Sequence, residues 1–115
     1  MKQVAENFSR HHFEKTISHI DDSVVWHLIG GSDIHGKDAV IDACKESAKY
    51  LKNVKTTFLK FKTFVSENSV IIDSLGEYVE KDGAVSVVSS CDIYEFVEGK
   101  LKEITSYTVE IPQTK

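Results

Sequence analysis

His27 is a histidine placed to do acid/base chemistry, because it lies inside an apolar run of strand length at 24–29. An imidazole titrates near neutral pH and can accept or donate a proton when a substrate comes within hydrogen-bond reach. Side chains alternate along a strand, so His27 shares one face with Val25 and Ile29, and Trp26 lies on the other. Either face can point inwards. Two interpretations are therefore open: a general acid or base, and a histidine hydrogen-bonded to backbone or solvent.

Asp92 is the second candidate, since aspartate is disfavoured within strands and needs a reason to occur there. It lies in the β-rich segment 84–97, on the face that also carries Ser90 and Tyr94. Their hydroxyls are donors for a carboxyl group, whose pKa burial would raise and a neighbouring imidazolium would lower. We therefore formulate the hypothesis that His27 and Asp92 face each other across an apolar cavity as an acid/base pair. The alternative for Asp92 is a carboxylate paired at the surface or satisfied by a neighbour.

The other histidines and the cysteines predict no metal or cofactor site. His11 and His12 are adjacent and so point to different faces of a helix, and the sequence contains no HxxxH or HExxH pattern. Phosphate-binding and nucleophile motifs such as GxGxxG, the P-loop and GxSxG are also missing from the sequence. Cys44 and Cys91 are isolated, which predicts buried, reduced thiols and a cytoplasmic protein.

Composition limits the class of protein further. The chain has 115 residues, which is enough for one domain with one core. Its formal charge is -4 and Arg10 is its single arginine, so a nucleic-acid partner is not expected. The apolar runs are a few residues long, against about 20 for a membrane helix, and the N-terminus lacks the apolar core of a signal peptide.

The candidate residues must be positioned by helices followed by a β meander. Apolar spacing predicts one or two helices over 3–20, broken near 9–11, and a further helix from Gly36 to about Lys52. Strands are expected at about 54–66, 69–80, 84–97 and 101–111, joined by hairpin turns. Straight strands of this length span roughly 40 Å at about 3.3 Å per residue. A domain of this size has a radius of gyration of only about 13 Å, so the sheet must bend and enclose a hollow.

This order of elements resembles the nuclear transport factor 2 superfamily, and within it the SnoaL-like and ketosteroid-isomerase-like branch. The residues that carry the resemblance are Asp21-Asp22-Ser23-Val24-Val25-Trp26-His27, Gly36-Lys37-Asp38-Ala39-Val40 and Phe96-Val97-Glu98-Gly99-Lys100-Leu101, followed by Tyr107. The resemblance implies a single SnoaL-like domain over residues 1–115. Its fold class would be α+β and cystatin-like, a cone-shaped, curved antiparallel β-sheet wrapped around N-terminal helices.

The resemblance also assigns roles to the two candidate residues. Aligned without gaps from Asp21 to Gly36, it places His27 where ketosteroid isomerases have their aspartate base. Aligned into Phe96, it places Asp92 where they have a protonated aspartic acid that belongs to the oxyanion hole. The first helix has no tyrosine to complete that oxyanion hole, since the first tyrosine of the chain is Tyr50.

We accordingly predict a cavity for a small, mostly apolar molecule, lined by Trp26, Tyr94, Phe96 and Tyr107. The alternative for these aromatic residues is ordinary core packing. One functional interpretation is a cofactor-independent acid/base enzyme of isomerase, cyclase, dehydratase or hydrolase type. The other is a non-catalytic ligand-binding or association module. The apolar second face of segment 84–97 predicts a homodimer that forms through the sheet.

Overall fold

The computed structural model describes residues 1–112, in which two helices pack against one sheet of six strands. The helices are α1 (Lys2–Ser9) and α2 (Lys37–Leu51), with 3-10 turns at Phe13–Lys15 and Ile17–His19 between them. The strands are β1 (Ile20–Leu28), β2 (Asp33–His35), β3 (Lys55–Val65), β4 (Ser69–Val79), β5 (Val85–Val97) and β6 (Lys100–Ile111). The predicted break after α1 and the four long strands are confirmed, whereas the short strand β2 was not predicted.

The strands lie in the order β2-β1-β6-β5-β4-β3. All neighbours are antiparallel except β1 and β6, which run parallel because the chain crosses from one edge of the sheet to the other through α2. The register shifts by one residue between Phe58 and Lys60 and again between Glu95 and Phe96. Such bulges bend strands and increase their twist. The sheet is therefore curved and open, as the strand lengths predict.

Helix α2 closes the concave side of the sheet. It begins after Gly36, whose φ of 91° is available to glycine at little cost, and Asp38 lies in the first turn, where the helix dipole favours a carboxylate. The helix buries Val40 and Cys44. These side chains are small, which allows α2 to pack against β1.

The core lies between α1, α2 and the inner face of the sheet. Strand register defines that inner face: Asp92 of β5 lies beside Ile72 of β4 and Ser106 of β6, and Trp26 of β1 lies beside Ile104. The buried core consists of Val4, Ala5, Phe8, Phe13, Ile20, Val24, Val40, Cys44, Val70, Ile72, Tyr94, Phe96, Leu101 and Ile104.

Candidate functional site

A cavity of about 480 Å³ opens between the helices and the concave face of the sheet. Seven aromatic side chains contribute to its lining: Phe8, Phe13, Trp26, Tyr50, Phe58, Tyr78 and Tyr94. Helix α2 adds Ala43, Ser47 and Leu51. The size and the mixture of apolar walls with a few polar groups are typical of small-molecule sites.

Asp92 is the carboxyl group of the inner wall. Ser9, at the end of α1, donates a hydrogen bond to it at 2.9 Å, and the Ser9 hydroxyl also lies 2.6 Å from the hydroxyl of Tyr94. Burial raises the pKa of Asp92, against the opposing effect of hydrogen bonds from Ser106, Ser9 and Tyr94. Asp92 therefore retains its acid form to a higher pH than an ordinary aspartate.

An aromatic cluster holds α1 on the sheet beside this carboxyl group. The ring of Phe8 lies edge to face against Phe13, Trp26 and Tyr94, with centroid distances of 5.1, 5.0 and 5.7 Å. The indole N–H of Trp26 donates to the Ser106 hydroxyl at 2.9 Å. The two polar groups of the cluster, the Tyr94 hydroxyl and the Trp26 N–H, therefore both contact serines that lie beside Asp92. The chain's single tryptophan lines the cavity.

His11 is a cavity residue that the sequence did not single out. Its Nε2 lies 3.0 Å from the hydroxyl of Tyr78, and its ring contacts those of Phe13 and Phe58. Burial, and to a lesser degree the charge of His12, lowers the pKa of His11 to about 4. The imidazole is therefore neutral at physiological pH, with one donor and one acceptor nitrogen.

Gly76 makes room for the Tyr78 side chain. A Cβ at position 76 would lie 3.0 Å from both Cε2 and the hydroxyl of Tyr78, so the ring rests against bare backbone of its own strand. Glycine within a strand often marks such a close approach. Burial raises the pKa of Tyr78, and the negative charge of Asp92 raises it further, which places Tyr78 within electrostatic reach of the carboxyl group.

His27 lies on the opposite face of the sheet, so the expected pair with Asp92 is not formed. Its Nδ1 is 3.0 Å from Asp33 of β2 and its Nε2 is 2.6 Å from Glu103 of β6. Hydrogen bonds to these two carboxylates raise the pKa of His27, and the bond to Glu103 is the largest single cause. Both ring nitrogens are engaged and neither faces the cavity. His27 therefore links its own strand, β1, to β2 and β6.

This placement predicts how stability depends on pH. The folded-state pKa of His27 exceeds its ordinary value of 6.5, so its contribution is complete below about pH 6.5 and is lost as the pH rises through the raised value. Calorimetry of wild type and His27→Gln should show a difference in Tm that shrinks from about pH 6 to pH 9. His35→Gln, at an exposed histidine of β2, is the matched control. Equal differences for both variants at every pH would contradict the assignment.

The four predicted aromatic lining residues separate into three environments. Trp26 and Tyr94 line the cavity. Phe96 is buried in the core below it, 4% exposed, which matches the alternative interpretation. Tyr107 pairs with Cys91 on the outer face of the sheet and is 46% exposed, so it does not face the cavity.

The cavity carries little positive charge. Among the described residues that line it there is no lysine or arginine, whereas Asp92 and the exposed Glu110 are acidic. Within residues 1–112, no group of His, Cys, Asp and Glu side chains is arranged to hold a metal ion. The described helices include none that is both long and apolar enough to cross a membrane.

Both cysteines of the chain are free thiols. Cys44 is buried at a second, smaller hollow of about 140 Å³ between α2 and the 3-10 turns, and burial raises the pKa of its thiol to about 12. Cys91 is half-buried on the outer face of β5. Burial raises the pKa of the Cys91 thiol as well.

Comparison with solved structures finds the same fold in many proteins. An NTF2-like protein of unknown function from Cytophaga hutchinsonii is 31% identical, covers 93% of this chain and 94% of its own, and superposes with a TM-score of 0.82. An NTF2-like protein from Burkholderia xenovorans is 11% identical, with a TM-score of 0.73 over 93% of this chain and 87% of its own. An LEH-like epoxide hydrolase from M. tuberculosis is 14% identical, with a TM-score of 0.69 over 94% and 81%.

The sequence comparison agrees with the structural one. Curated proteins give no match. Residues 1–104 match the SnoaL-like domain, and the structural neighbours share its α+β cone, which confirms the predicted fold class. The chain therefore belongs to the SnoaL-like domain family.

Proposed function

We propose that the chain binds a small, uncharged, mostly apolar organic molecule in the 480 Å³ cavity and transfers a proton on it without a cofactor. The observation that carries this proposal is a half-buried carboxyl group, Asp92, to which Ser9 and Tyr94 hydrogen bond at the inner wall of an aromatic cavity. Perturbed carboxyl groups in apolar clefts are characteristic of acid/base sites. The two free thiols, Cys44 and Cys91, support a reducing cytoplasmic location.

Asp92 is suited to stabilise a developing oxyanion. In its acid form the carboxyl group donates a hydrogen bond to a substrate carbonyl oxygen, and the bond strengthens as an adjacent C–H proton leaves and negative charge moves onto that oxygen. The apolar walls remove competing water, so the interaction is stronger than in solvent. This chemistry is common to isomerisation, dehydration and cyclisation of small carbonyl compounds.

The charge of the described lining residues predicts which charge the ligand carries. A carboxylate ligand would meet Asp92 and Glu110 with no lysine or arginine among the described lining residues to pair it. Quenching of Trp26 fluorescence should therefore report binding of 2-naphthol and at least about tenfold weaker binding of 2-naphthoate at pH 8, as an unpaired buried charge costs well over 1.4 kcal/mol. Equal affinities would contradict a site for uncharged molecules.

Proton exchange distinguishes an enzyme from a binding module. The α-protons of 1-tetralone, an uncharged bicyclic ketone, exchange with D₂O at a rate that NMR follows directly. We expect the protein to accelerate this exchange in a saturable manner, with half-saturation at the ketone concentration that half-quenches Trp26. Quenching without acceleration would instead support a non-catalytic ligand-binding module.

We also propose that two copies associate through the outer face of the sheet. That face exposes apolar side chains of neighbouring strands, among them Phe64 and Ile71, which pair across β3 and β4, and Tyr107 and Val109 on β6. Val109 is 62% exposed. An exposed apolar patch of this kind is a common protein interface.

Association is tested by adding a charge to this face. Wild type is expected to sediment at twice 12.9 kDa at micromolar concentration, and Val109→Lys at 12.9 kDa, because the ammonium group would be desolvated in the interface. Tyr50→Lys adds the same charge to an exposed position of α2, away from the outer face, and should remain a dimer. A monomeric wild type would overturn the proposal.

A further inference from the structure

We propose that His11 is the proton acceptor of the cavity and that Tyr78 positions its ring. This inference rests on the proposed function, since it names the base that works opposite Asp92. His27, the base expected from the sequence, cannot take this role, because it lies on the other face of the sheet, where Asp33 and Glu103 hold it.

The position of His11 is the first argument. It lies in the turn after α1, lines the same cavity as Asp92, and is linked to the sheet by the 3.0 Å contact between its Nε2 and the Tyr78 hydroxyl. Tyr78 lines the same cavity from β4. The imidazole and the carboxyl group therefore border one cavity, from the turn after α1 and from β5.

The backbone supplies the second argument. His11 has a φ of 68°, in the left-handed region that residues with a side chain uncommonly adopt. A left-handed residue commonly ends a helix, where backbone hydrogen bonds hold it, and it sets the direction in which the side chain leaves the helix. Here the holding contacts are the backbone bond from His11 N to the Phe8 carbonyl and the packing of the ring against Phe13 and Phe58.

The neighbouring side chains leave the ring available as a base. Arg10 lies over the ring of Phe61, 3.9 Å from its centroid, and is not among the residues that line the cavity. The titratable groups that face His11 are His12, Tyr78 and, beyond Tyr78, Asp92. Burial in this apolar wall keeps the ring neutral above about pH 4. Protonation of His11 should therefore slow the exchange only as the pH falls towards 4.

The proton transfer balances without any further reactant. In the tautomer in which Nε2–H donates to the Tyr78 oxygen, the lone pair lies on Nδ1. The C–H bond next to the substrate carbonyl breaks, its proton goes to Nδ1, and its electron pair forms an enolate whose oxygen accepts a hydrogen bond from Asp92. In D₂O the imidazolium N–H exchanges with solvent, and return of the deuteron to carbon, at the same or a conjugated position, completes the reaction.

The experiment compares four proteins in the 1-tetralone exchange assay: wild type, His11→Asn, His12→Asn and Tyr78→Phe. Asparagine tolerates the left-handed backbone, so His11→Asn keeps the turn while removing the base. We expect His11→Asn to lower exchange at saturating ketone by about 10²- to 10⁴-fold, the usual contribution of a general base. Its Kd for 1-tetralone, measured by Trp26 quenching, should stay close to that of wild type. His12→Asn, at the exposed neighbour, should exchange like wild type.

Tyr78→Phe tests the positioning role. It should lower the rate at saturation and leave the Kd for 1-tetralone unchanged, since the variant loses the orientation of the base rather than a binding contact. A fall in affinity with an unchanged saturated rate would contradict this role.

The outcomes separate the inference from the proposed function. If wild type accelerates the exchange of 1-tetralone and His11→Asn accelerates it equally, His11 is not the base, whereas the acid/base function still holds. Binding of 1-tetralone without acceleration by wild type would overturn the acid/base function and the inference together. Equal losses in His11→Asn and His12→Asn would also overturn the inference, because the effect would then belong to the turn and not to the cavity imidazole.

Discussion

Asp92→Asn is expected to slow the α-proton exchange of 1-tetralone by about 10²- to 10³-fold, the range found when an oxyanion donor is lost. The amide keeps the shape of the side chain and can still hydrogen bond to Ser9 and Tyr94, but its N–H is a weaker donor than a carboxylic acid. Exchange by wild type should also fall as the pH rises through the raised pKa of Asp92, and the variant should lack this alkaline decrease. NMR exchange rates at a series of pH values measure both effects.

The folding stability of Asp92→Asn is the control for this result. Because the pKa of Asp92 is raised in the folded state, its contribution to stability is present at low pH and is lost as the pH rises through that value. At pH 7 the asparagine variant should therefore be at least as stable as wild type. Asp73→Asn, at a carboxylate that pairs with Lys60 at 3.2 Å outside the cavity, should exchange like wild type. Equal slowing by both variants would contradict the role of Asp92.

Phe8→Ala is expected to lower the free energy of unfolding by about 3–5 kcal/mol, the usual cost of removing a buried aromatic ring. Phe8 is 3% exposed and forms edge contacts with Phe13, Trp26 and Tyr94, so its loss opens a space at the point where α1 meets the sheet. Most domains have only about 5–15 kcal/mol of stability, so α1 should detach readily and Trp26 fluorescence should shift to longer wavelength. Urea titration followed by that fluorescence gives the measurement.

A matched truncation at the surface completes this test. Leu59 is the extra residue at the bulge of β3 and is 56% exposed, so Leu59→Ala should change the free energy of unfolding by about 0.5 kcal/mol or less. A similar cost for both substitutions would mean that the aromatic cluster does not hold α1 in place.

The fold was predictable because its main elements follow from local periodicity. The four long strands and α2 have strong patterns, and the length of the strands alone required curvature. The short strand Asp33–His35 was not predictable, since three residues after a glycine turn carry no pattern and become a strand only by pairing with 25–27 of β1. The parallel pairing of β1 with β6 is likewise a contact between distant segments.

The site was only partly predictable, and a single bulge shows why. The turn after Val97 pairs Val97 with Lys100, a register that, if continued, would place Tyr107 opposite Ser90 on the inner face. The one-residue shift between Glu95 and Phe96 instead pairs Tyr107 with Cys91. A shift of one residue moves every later side chain to the other face. Sequence alternation places Asp92 and Tyr94 on the same face of β5 but does not reveal such a shift.

His27 and His11 illustrate two further limits. Alternation grouped His27 with Val25 and Ile29 but left the inner face of β1 open, and the pairing of Trp26 with Ile104 decides it. His11 enters the site through one left-handed residue at the end of α1, and histidine is among the few residues enriched in that conformation. Its partner Tyr78 is 67 positions away in the chain, so no local signal connects them.

Intermolecular NOEs in the complex with 1-tetralone test most directly the claim that the inner face of the sheet, and not the outer one, is the site of function. We expect NOEs from the ketone to the rings of Phe8, Trp26 and Tyr94. NOEs to Tyr107 and Val109 on the outer face, with none to the inner rings, would contradict it.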